Sequence, residues 1–293
     1  MTNGSLSRRH VLRGAVGLVA LGGLAACSKT QVPSGAAGES LLDTIKKQGF
    51  ARLGVANELP YSFAGADGMV TGVEPEVAQA VLKRMGVDRV VGVVGTFATM
   101  IPSLQAGQID MICAALFMKQ SRCDTILFSE PDAVSTDSFA VESGNPLGLT
   151  SIQAVVDSSQ ARVSVVGGTL EASTVQRLGV PADRTLLVQD NKAGVEALTA
   201  GRADVYLGPD LTIRQIAAQG GPKFDVVGPI PEIPVTGAGV GFRKSDQSFV
   251  DQYNAELKNI QGSGEFDTIL AKWGFDPELV KKTSAAELCQ TQG

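Results

Sequence analysis

Histidine is almost absent from this sequence. The single histidine among the 293 residues is His10, which lies in a basic segment at the start of the chain. Beyond that segment no imidazole is present to activate a serine or cysteine nucleophile, or to bind zinc. Catalysis by a Ser-His or Cys-His pair is therefore excluded for the rest of the chain, and we expect a binding protein rather than an enzyme.

Cysteine is also scarce, with Cys27, Cys113, Cys123 and Cys289 as its four occurrences. None of them forms a C-x-x-C pair, so the sequence predicts neither a thiolate metal site nor a metal cofactor. Cys113 lies in the apolar run 109–115 and is predicted to be a buried thiol. Cys123 and Cys289 could pair in an oxidising compartment, but the sequence leaves open whether they approach each other.

Long hydrophobic runs are missing, and the apolar run 14–26 is too short for the roughly 17–25 residues that span a bilayer. A basic stretch with the pair Arg8-Arg9 precedes it, and Leu24-Ala25-Ala26-Cys27 ends it. This order is typical of a secretory signal, the alternative being an uncleaved membrane helix. The arginine pair resembles a twin-arginine export signal, and the last four residues resemble a bacterial lipobox. The resemblance implies a lipidated Cys27 that anchors an extracytoplasmic protein to the cell membrane.

Basic residues are fewer than acidic residues in this sequence. Removal of residues 1–26 leaves 22 of the 25 basic residues against all 30 acidic ones, a net charge of −8. An acidic surface opposes contact with nucleic acid and with anionic lipid. We therefore expect the protein to bind a small solute and not nucleic acid. We also expect a monomer that touches the membrane only through its lipid anchor.

From residue 40 onward, short apolar runs alternate with amphipathic stretches. Such alternation favours an α/β fold built on parallel sheets. Residues 134–142 are predicted to be extended, and residues 246–273 to be mostly helical. The other predicted strands are 50–56, 90–94, 109–114, 162–166, 185–189 and 203–207, and the other predicted helices are 74–85, 151–157, 169–178, 191–200 and 210–219.

A short internal sequence repeat suggests that the chain consists of two related halves. Leu104-Gln-Ala-Gly107-Gln-Ile-Asp110 recurs as Leu198-Thr-Ala-Gly201-Arg-Ala-Asp204. In both copies a predicted helix ends on glycine, and an aspartate then opens a predicted strand. Chance is the alternative, because helix-glycine-strand joints are common in α/β folds.

Duplication would give two lobes, each a mostly parallel sheet flanked by helices, joined by two crossover strands near 136–142 and 236–242. Gly237, Gly239 and Gly241 could absorb a hinge bend there, or simply allow tight packing. The predicted divisions are a signal peptide at 1–26, a tether at 27–39, a first lobe at 40–138 plus 241–284, a second lobe at 139–240, and a C-terminal tail at 285–293.

Aromatic and charged residues follow three predicted strands of the first lobe. In open α/β sheets and between domains, ligands bind at such strand ends. Only 5% of the chain is aromatic, which makes the grouping informative. The residues are Asn57, Glu58, Pro60, Tyr61 and Phe63 after the first strand, Phe97 after the second, and Phe117 and Arg122 after the third.

These residue types suit a small zwitterion. A guanidinium binds a carboxylate through two parallel hydrogen bonds, and aromatic faces attract a cation. The carboxylate of Glu58 would accept hydrogen bonds from a cationic N–H group. Core burial of each ring and a surface position for Arg122 are the alternatives.

In the second lobe, Gly167-Gly168-Thr169 links a predicted strand to a predicted helix. The free N–H groups at such a helix start bind anions, and Thr169 also suits the N-cap position. Asp190 and Asn191 follow another predicted strand and could face the cleft, although a helix cap is the favoured interpretation.

The chain resembles the bacterial extracellular solute-binding proteins of family 3, the polar amino acid type, which are receptors of ABC importers. The resemblance covers residues 40–284 and implies a two-lobed, periplasmic-binding-protein-like fold that closes on its ligand and delivers it to importer permease subunits. The motifs on which the resemblance rests are Asn57-Glu58-x-Pro60-Tyr61, Asp67-Gly68-x-x-x-Gly72-x-x-Pro75-Glu76, Asp110-Met111, Ser121-Arg122, Phe128-Ser129-x-Pro131, Gly168-Thr169-x-Glu171 and Gly201-Arg202-x-Asp204.

Within that family the chain is most similar to the ectoine- and hydroxyectoine-binding branch, whose ligand is a cyclic amidinium carboxylate. The resemblance implies that Tyr61, Phe97 and Phe117 enclose the cationic ring. It also implies that Glu58 meets the ring N–H and that Arg122 binds the carboxylate.

One departure concerns the amino acid receptors of the family, which carry an ammonium-binding aspartate five residues after the aspartate of the Gly-Arg-x-Asp joint. That position is Pro209 here, and Asp210 follows it. The alternatives are a polar amino acid receptor using Arg122, Thr169 and Asp210, a dehydratase-type enzyme with Glu58 as its acid or base, and a sensor domain. The predicted ligand-binding residues are Glu58, Tyr61, Phe97, Phe117, Arg122, Gly168, Thr169 and Asp210.

Overall fold

The computed structural model describes residues 40–290 apart from residues 66, 68, 221 and 222. The predicted signal peptide, Cys27 and the tether therefore lie outside the described residues. Within the described part, no helix has both the length and the apolar character needed to cross a membrane.

Residues 40–135 alternate helices with short strands. Ser40 caps the first helix, and Gly49 ends it with a φ of 80°. Pro75 lies in the first turn of the second helix, as predicted. The elements are α1 (Leu41–Gln48), β1 (Ala51–Val55), β2 (Phe63–Ala64), β3 (Val70–Thr71), α2 (Val73–Arg84), β4 (Val90–Val94), α3 (Phe97–Gln105), β5 (Met111–Ile112), α4 (Gln120–Cys123), β6 (Leu127–Phe128) and β7 (Ala133–Ser135).

Residues 137–227 follow the predicted alternation closely. Ser151, Thr169 and Asp190 each cap a helix by accepting a hydrogen bond from the backbone N–H three residues later. The elements are β8 (Asp137–Glu142), α5 (Ile152–Asp157), β9 (Val163–Val166), α6 (Leu170–Arg177), β10 (Thr185–Val188), α7 (Asn191–Thr199), β11 (Val205–Pro209), α8 (Asp210–Gly220) and β12 (Phe224–Val227).

The last part of the chain is helical after two short strands. Gly264, with a φ of 80°, separates two helices within the stretch that was predicted to be mostly helical. Residues 285–288, in the predicted tail, form a further helix. The elements are β13 (Thr236–Ala238), β14 (Gly241–Phe242), α9 (Gln247–Ser263), α10 (Glu265–Lys272), α11 (Pro277–Lys281) and α12 (Ala285–Leu288).

Two five-stranded sheets of the same design form the two lobes. Their strand orders are β4-β1-β5-β14-β6 and β10-β9-β11-β8-β12. In each sheet four strands run parallel and the fourth in order, β14 or β8, is antiparallel to its neighbours. The predicted fold class, two mostly parallel sheets flanked by helices, is confirmed.

The two connections between the lobes pair with each other. Strands β7 and β13 are antiparallel, with Ser135 opposite Thr236. The first crossing therefore lies a few residues before the expected 136–142, because residues 137–142 already belong to the second sheet. A Cβ added to Gly237 would lie 2.5 Å from the side chain of Leu288, and one added to Gly239 would lie 2.9 Å from the carbonyl oxygen of Glu130. Tight packing thus accounts for these two glycines.

The internal sequence repeat corresponds to a helix-glycine-strand connection that occurs twice in the structure. Gly107 and Gly201 both adopt left-handed conformations, with φ values of 69° and 63°. Asp110 then accepts hydrogen bonds from the backbone N–H and the guanidinium of Arg52, at the start of the neighbouring strand β1. Asp204 does the same with Arg162, next to β9. Each joint therefore fixes one parallel strand against its neighbour.

The cysteines resolve the alternatives left by the sequence. Cys113 is a fully buried free thiol, as predicted. Cys123 and Cys289 form a disulfide with a Cα–Cα distance of 5.8 Å across a sequence separation of 166 residues. The bond joins the end of α4 to the end of α12.

The helix that was predicted to end at Gly107 is α3, which contains Pro102 and begins with Thr96 in a capping box. Several other elements were not predicted from the sequence. The hairpin of β2 and β3 is only two residues long on each side, too short for an alternating pattern. Helices α1, α4, α11 and α12 and strand β12 were also missed.

Candidate functional site

A pocket lies where the carboxyl ends of the parallel strands of both sheets meet. The residues that line it from the first lobe are Glu58, Phe97, Ala115, Phe117 and Arg122, and those from the second lobe include Thr169, Glu171, Asn191, Tyr206 and Pro209.

Arg122 supplies a buried guanidinium to this pocket from the short helix α4. One of its nitrogens donates to the carbonyl oxygen of Phe117 and another to that of Gly168, at 2.7 Å, across the cleft. None of the ion pairs among the described residues uses this guanidinium. Burial lowers the pKa of Arg122 to about 10, so it stays charged at neutral pH. A buried cation without a carboxylate partner is suited to an anionic ligand group.

Glu58 brings a carboxyl group to the same pocket from the loop after β1. Its side chain is held by Thr212, whose hydroxyl donates to the carboxylate at 3.4 Å and to the carbonyl oxygen of Leu59 at 3.0 Å, and by Asn191. Burial, followed by the nearby charge of Glu171, raises the pKa of Glu58 to about 8. A cationic ligand would reverse that shift, because it stabilises the carboxylate.

Two of the three predicted rings line the pocket. Phe97, at the start of α3, and Phe117 are each buried but border the cavity. Tyr61 does not line it. Its ring is fully buried and packs edge-on against Phe117, with centroids 6.0 Å apart, and against Phe275, with centroids 5.0 Å apart. Tyr61 therefore supports Phe117 from behind, and this placement departs from the expected three-ring enclosure.

In the second lobe, Thr169 lines the pocket while its hydroxyl caps α6, accepting from Ala172 N–H at 3.2 Å and donating to the carbonyl oxygen of Val166 at 2.8 Å. Gly168 is outside the pocket lining and contributes its carbonyl oxygen to Arg122. A Cβ there would lie 2.9 Å from the backbone nitrogen of Ala98 in the first lobe. Glycine is thus required because the lobes approach closely at this point.

Asp210 lies outside the pocket lining. Its two carboxylate oxygens accept hydrogen bonds from the hydroxyl of Ser138 and from the guanidinium of Arg214, both at 2.6 Å. The preceding residue, Pro209, borders the pocket instead. The expected contact of Asp210 with a ligand therefore does not fit this arrangement, since α8 begins at Asp210 and directs its carboxylate to residues of the second lobe.

Sequence reasoning missed Glu171 and Tyr206 and undervalued Asn191. Glu171 is almost fully buried and is the second residue of α6, whose start faces the pocket. The hydroxyl of Tyr206 donates to the side-chain oxygen of Asn191 at 2.6 Å. Since Asp190 is the cap of α7, Asn191 is left to face the pocket. The Gly-Thr-x-Glu motif was the signal that could have identified Glu171.

The pocket therefore combines one guanidinium, two carboxyl groups and aromatic rings. Among the described residues, no group of histidine, cysteine, aspartate and glutamate side chains is arranged to hold a metal ion. This set suits an organic ligand that carries charges of both signs.

The family model for bacterial extracellular solute-binding proteins, family 3, matches residues 51–277, and the chain belongs to that family. A probable amino-acid ABC transporter periplasmic-binding protein of Sinorhizobium fredii is 28% identical over 264 residues, which cover 86% of this chain and 87% of that protein. The L-cystine-binding protein TcyJ of Escherichia coli is 26% identical over 246 residues, which cover 84% of this chain and 90% of TcyJ.

Among solved structures, EhuB in complex with hydroxyectoine is 39% identical, with a TM-score of 0.83, and the match covers 86% of this chain and 98% of EhuB. Holo ArgBP from T. maritima shares the fold, with 24% identity and a TM-score of 0.68. The match covers 79% of this chain and 98% of the ArgBP chain. The protein is thus a solute-binding component of an ABC importer, of a family that acts outside the cytoplasm and binds rather than transforms its ligands.

Proposed function

We propose that this protein is the receptor of an ABC importer for ectoine, hydroxyectoine or a closely similar compatible solute. The observation that carries the proposal is the convergence of Arg122, Glu58, Phe97 and Phe117 on one inter-lobe pocket. The likeness to EhuB, which was solved with hydroxyectoine, supports the same ligand class.

In the proposed complex, Arg122 binds the ligand carboxylate with its planar guanidinium. The faces of Phe97 and Phe117 contact the cationic ring, and the carboxylate of Glu58 accepts a ring N–H. The buried charge of Arg122 thereby gains a partner, and Glu58 gains one as it ionises, which offsets the cost of holding these charges away from water.

The ligand would close the two lobes, for which we propose the boundaries 40–138 plus 241–284 and 139–240, except that residues 137 and 138 belong with β8 to the second lobe. Closure around the paired strands β7 and β13 is a hinge motion, and permease subunits would recognise the closed form. We also propose that Cys27 is lipidated after cleavage of residues 1–26. Mass spectrometry of the membrane fraction tests this. We expect a Cys27→Ser variant to carry no lipid and to be released from the membrane.

Titration calorimetry of the purified protein with ectoine, hydroxyectoine, glycine betaine and the common amino acids tests the ligand. We expect binding of ectoine or hydroxyectoine at micromolar or lower dissociation constants, about −8 kcal/mol or stronger. Heat with an amino acid and none with either ectoine would overturn the proposal.

A polar amino acid is the second candidate, because Glu171 offers a carboxylate for an α-ammonium group near Arg122. Against it, Asp210 is already paired within its own lobe. A dehydratase-type reaction would need turnover with Glu58 as acid or base, and NMR spectra of the bound ligand before and after incubation with the protein decide that point.

A further inference from the structure

The helix that carries Arg122 has little of its own to hold it in place. Helix α4 is four residues long, and the side chain of its N-cap residue, Lys119, makes no capping hydrogen bond. Isolated helices shorter than about 12–15 residues are barely stable in water, and packing of an apolar face supplies most helical stability in proteins. Arg122 is the one buried residue of α4, so the helix lacks a buried apolar face. The position of the guanidinium is therefore fixed by segments outside the helix.

Contacts with three distant segments hold α4. The Nζ of Lys119 donates to the hydroxyl of Ser173 at 2.8 Å, across the cleft, and the Nζ of Lys244 donates to the carbonyl oxygen of Cys123 at 2.6 Å. The third contact is the disulfide between Cys123 and Cys289. The first contact joins the two lobes and would break when they separate, and the second is exposed to solvent. The disulfide is covalent, so it holds α4 in the open and the closed form alike.

The other end of the disulfide is itself fixed in the fold. A capping box closes the first turn of α12, and the backbone N–H of Ala285 donates to the carboxylate of Glu130 at 3.1 Å. Leu288 is buried, and it lies so close to Gly237 of β13 that a Cβ added to this glycine would be 2.5 Å from it. Helix α12 is thus packed against one of the two crossing strands, and it carries Cys289 at its C-terminal end.

The disulfide lies next to the proposed ligand-binding arginine without reaching the pocket. Cys123 directly follows Arg122, so their Cα atoms are about 3.8 Å apart. Successive side chains of a helix point in directions about 100° apart, and here Arg122 lines the pocket while Cys123 bonds to Cys289. Neither cysteine of the bond lines the pocket. An effect of the disulfide on ligand binding would therefore act through Arg122.

We propose that the disulfide between Cys123 and Cys289, with α12 as its fixed end, positions the guanidinium of Arg122 for the ligand carboxylate. This inference rests on the proposed function, in which Arg122 binds that carboxylate. A guanidinium that is held in place before the ligand arrives loses less freedom on binding, and such preorganisation raises affinity. Recognition of the anionic pole of the ligand would thus depend on residues 285–289, which lie outside the pocket lining.

Calorimetry with ectoine on the full-length mature protein tests the proposal through a double-mutant cycle. Cys289→Ser removes the disulfide and is expected to weaken binding about tenfold. In the Arg122→Gln background the same substitution should change the affinity less than twofold, because the guanidinium that the disulfide positions is already gone. Cys123→Ser, which removes the other sulfur, should repeat both results. Melting temperatures verify that each variant is folded at the temperature of the titration.

Ile45→Ala is the matched control for a loss of stability alone. Ile45 is fully buried in α1 and lies outside the pocket lining. Its truncation leaves a cavity, which costs about as much stability as loss of the disulfide. We expect Ile45→Ala to keep the wild-type affinity for ectoine. A second ligand, the cyclic amidine of ectoine without its carboxylate, should bind the wild type and Cys289→Ser equally in an NMR titration, because it has no group for Arg122.

A Cys289→Ser variant that binds ectoine within twofold of the wild type would overturn the inference. So would an equal loss of affinity in the wild-type and Arg122→Gln backgrounds, or an equal loss in Ile45→Ala, because each would mean that the disulfide acts through stability alone. Failure of the wild type to bind ectoine or hydroxyectoine would overturn the proposed function instead. The same cycle, measured with the amino acid that binds, then decides whether the disulfide positions Arg122 for the carboxylate of that ligand.

Discussion

The carboxylate of Glu74 accepts a 2.6 Å hydrogen bond from the backbone N–H of Ala115. Ala115 borders the ligand pocket with a φ of 51°, a left-handed conformation that costs a non-glycine residue about 1–2 kcal/mol. Glu74 is fully buried, and its second oxygen has no partner among the described residues. This contact therefore holds a strained part of the pocket wall.

Glu74 makes stability depend on pH. Burial raises the pKa of Glu74 to about 8 from an ordinary value near 4.5. A carboxyl group with a raised pKa contributes stability that is present below the unfolded-state pKa and is lost as pH rises toward 8, by at most about 1.4 kcal/mol per pH unit. Glu74→Gln keeps an acceptor for Ala115 without the charge, so we expect its calorimetric melting temperature to fall less between pH 5 and 8 than that of the wild type.

Glu76→Gln, on the same helix, is the matched control for that measurement. Lys272 and Thr71 hydrogen-bond Glu76, and its pKa is lowered despite an opposing contribution from burial. Its contribution to stability is thus present above the unfolded-state pKa and lost in acid. We expect the melting temperature of Glu76→Gln to fall between pH 5 and 8 as much as that of the wild type. An equal fall for Glu74→Gln would contradict the assignment of the pH dependence to Glu74.

Arg122→Gln is expected to weaken ligand binding by about 2–5 kcal/mol, because the carboxylate of the ligand loses a buried, charged partner. Arg52→Gln provides the control, since Arg52 is also partly buried but is paired with Asp110 outside the pocket. Calorimetry on both variants, with melting temperatures, separates the two roles. Loss of binding in Arg52→Gln, or its retention in Arg122→Gln, would place the anion site elsewhere.

Phe117 belongs to both the pocket wall and the hydrophobic core. Truncation to alanine would therefore reduce stability as well as binding, and Phe117→Leu is the more informative change. We expect it to weaken ligand binding by about 0.5–2 kcal/mol through loss of the aromatic face, with a stability change below about 1.5 kcal/mol.

Phe63→Leu is the companion variant, because Phe63 packs against Trp273 and not in the pocket. Its calorimetric affinity should match that of the wild type. If Phe117→Leu binds as tightly as Phe63→Leu, the ring of Phe117 does not contact a cation.

The disulfide between Cys123 and Cys289 should stabilise the protein by about 2–5 kcal/mol, because it restricts the unfolded chain over 166 residues. Cys289→Ser should lower the melting temperature by about 5–15 °C. Cys123→Ser and the double variant should show the same loss, since each removes the one bond. A double variant much less stable than either single variant would show that the thiols act separately.

Affinity for a cationic ligand should rise with pH. In the free protein Glu58 has a pKa of about 8, and a bound cation would lower it, so binding releases a proton below that pH. We expect affinity to increase between pH 6 and 8, by at most tenfold per unit, and to level off above pH 8. Calorimetry in buffers with different ionisation enthalpies counts the protons released.

Glu58→Gln is the reference for this dependence, because it retains the hydrogen-bonding shape without titrating. It should bind more weakly and lose most of the pH dependence. A wild-type affinity that is constant from pH 6 to 8 would mean that Glu58 does not meet the cation.

The alternation of apolar runs with amphipathic stretches was sufficient to predict the fold class, since it follows from local chain geometry and from burial of one face. The glycine-ended joints before Asp110 and Asp204 were recognisable for the same reason, because a left-handed residue is a local requirement. Short elements such as β2 and β3 were missed, because two residues on each strand carry no periodicity.

The sequence by itself determined the two-lobed α/β design and, through the residues that follow β1, β4, β5 and β9, most of the chemistry brought to the cleft. Only the tertiary structure decided that Tyr61 packs behind Phe117, that Asp210 is bound within its own lobe, and that Glu171 lines the pocket. The physical reason is that which side of a loop or helix faces the cleft depends on strand register and on the packing of distant segments, and neither is encoded in the local pattern.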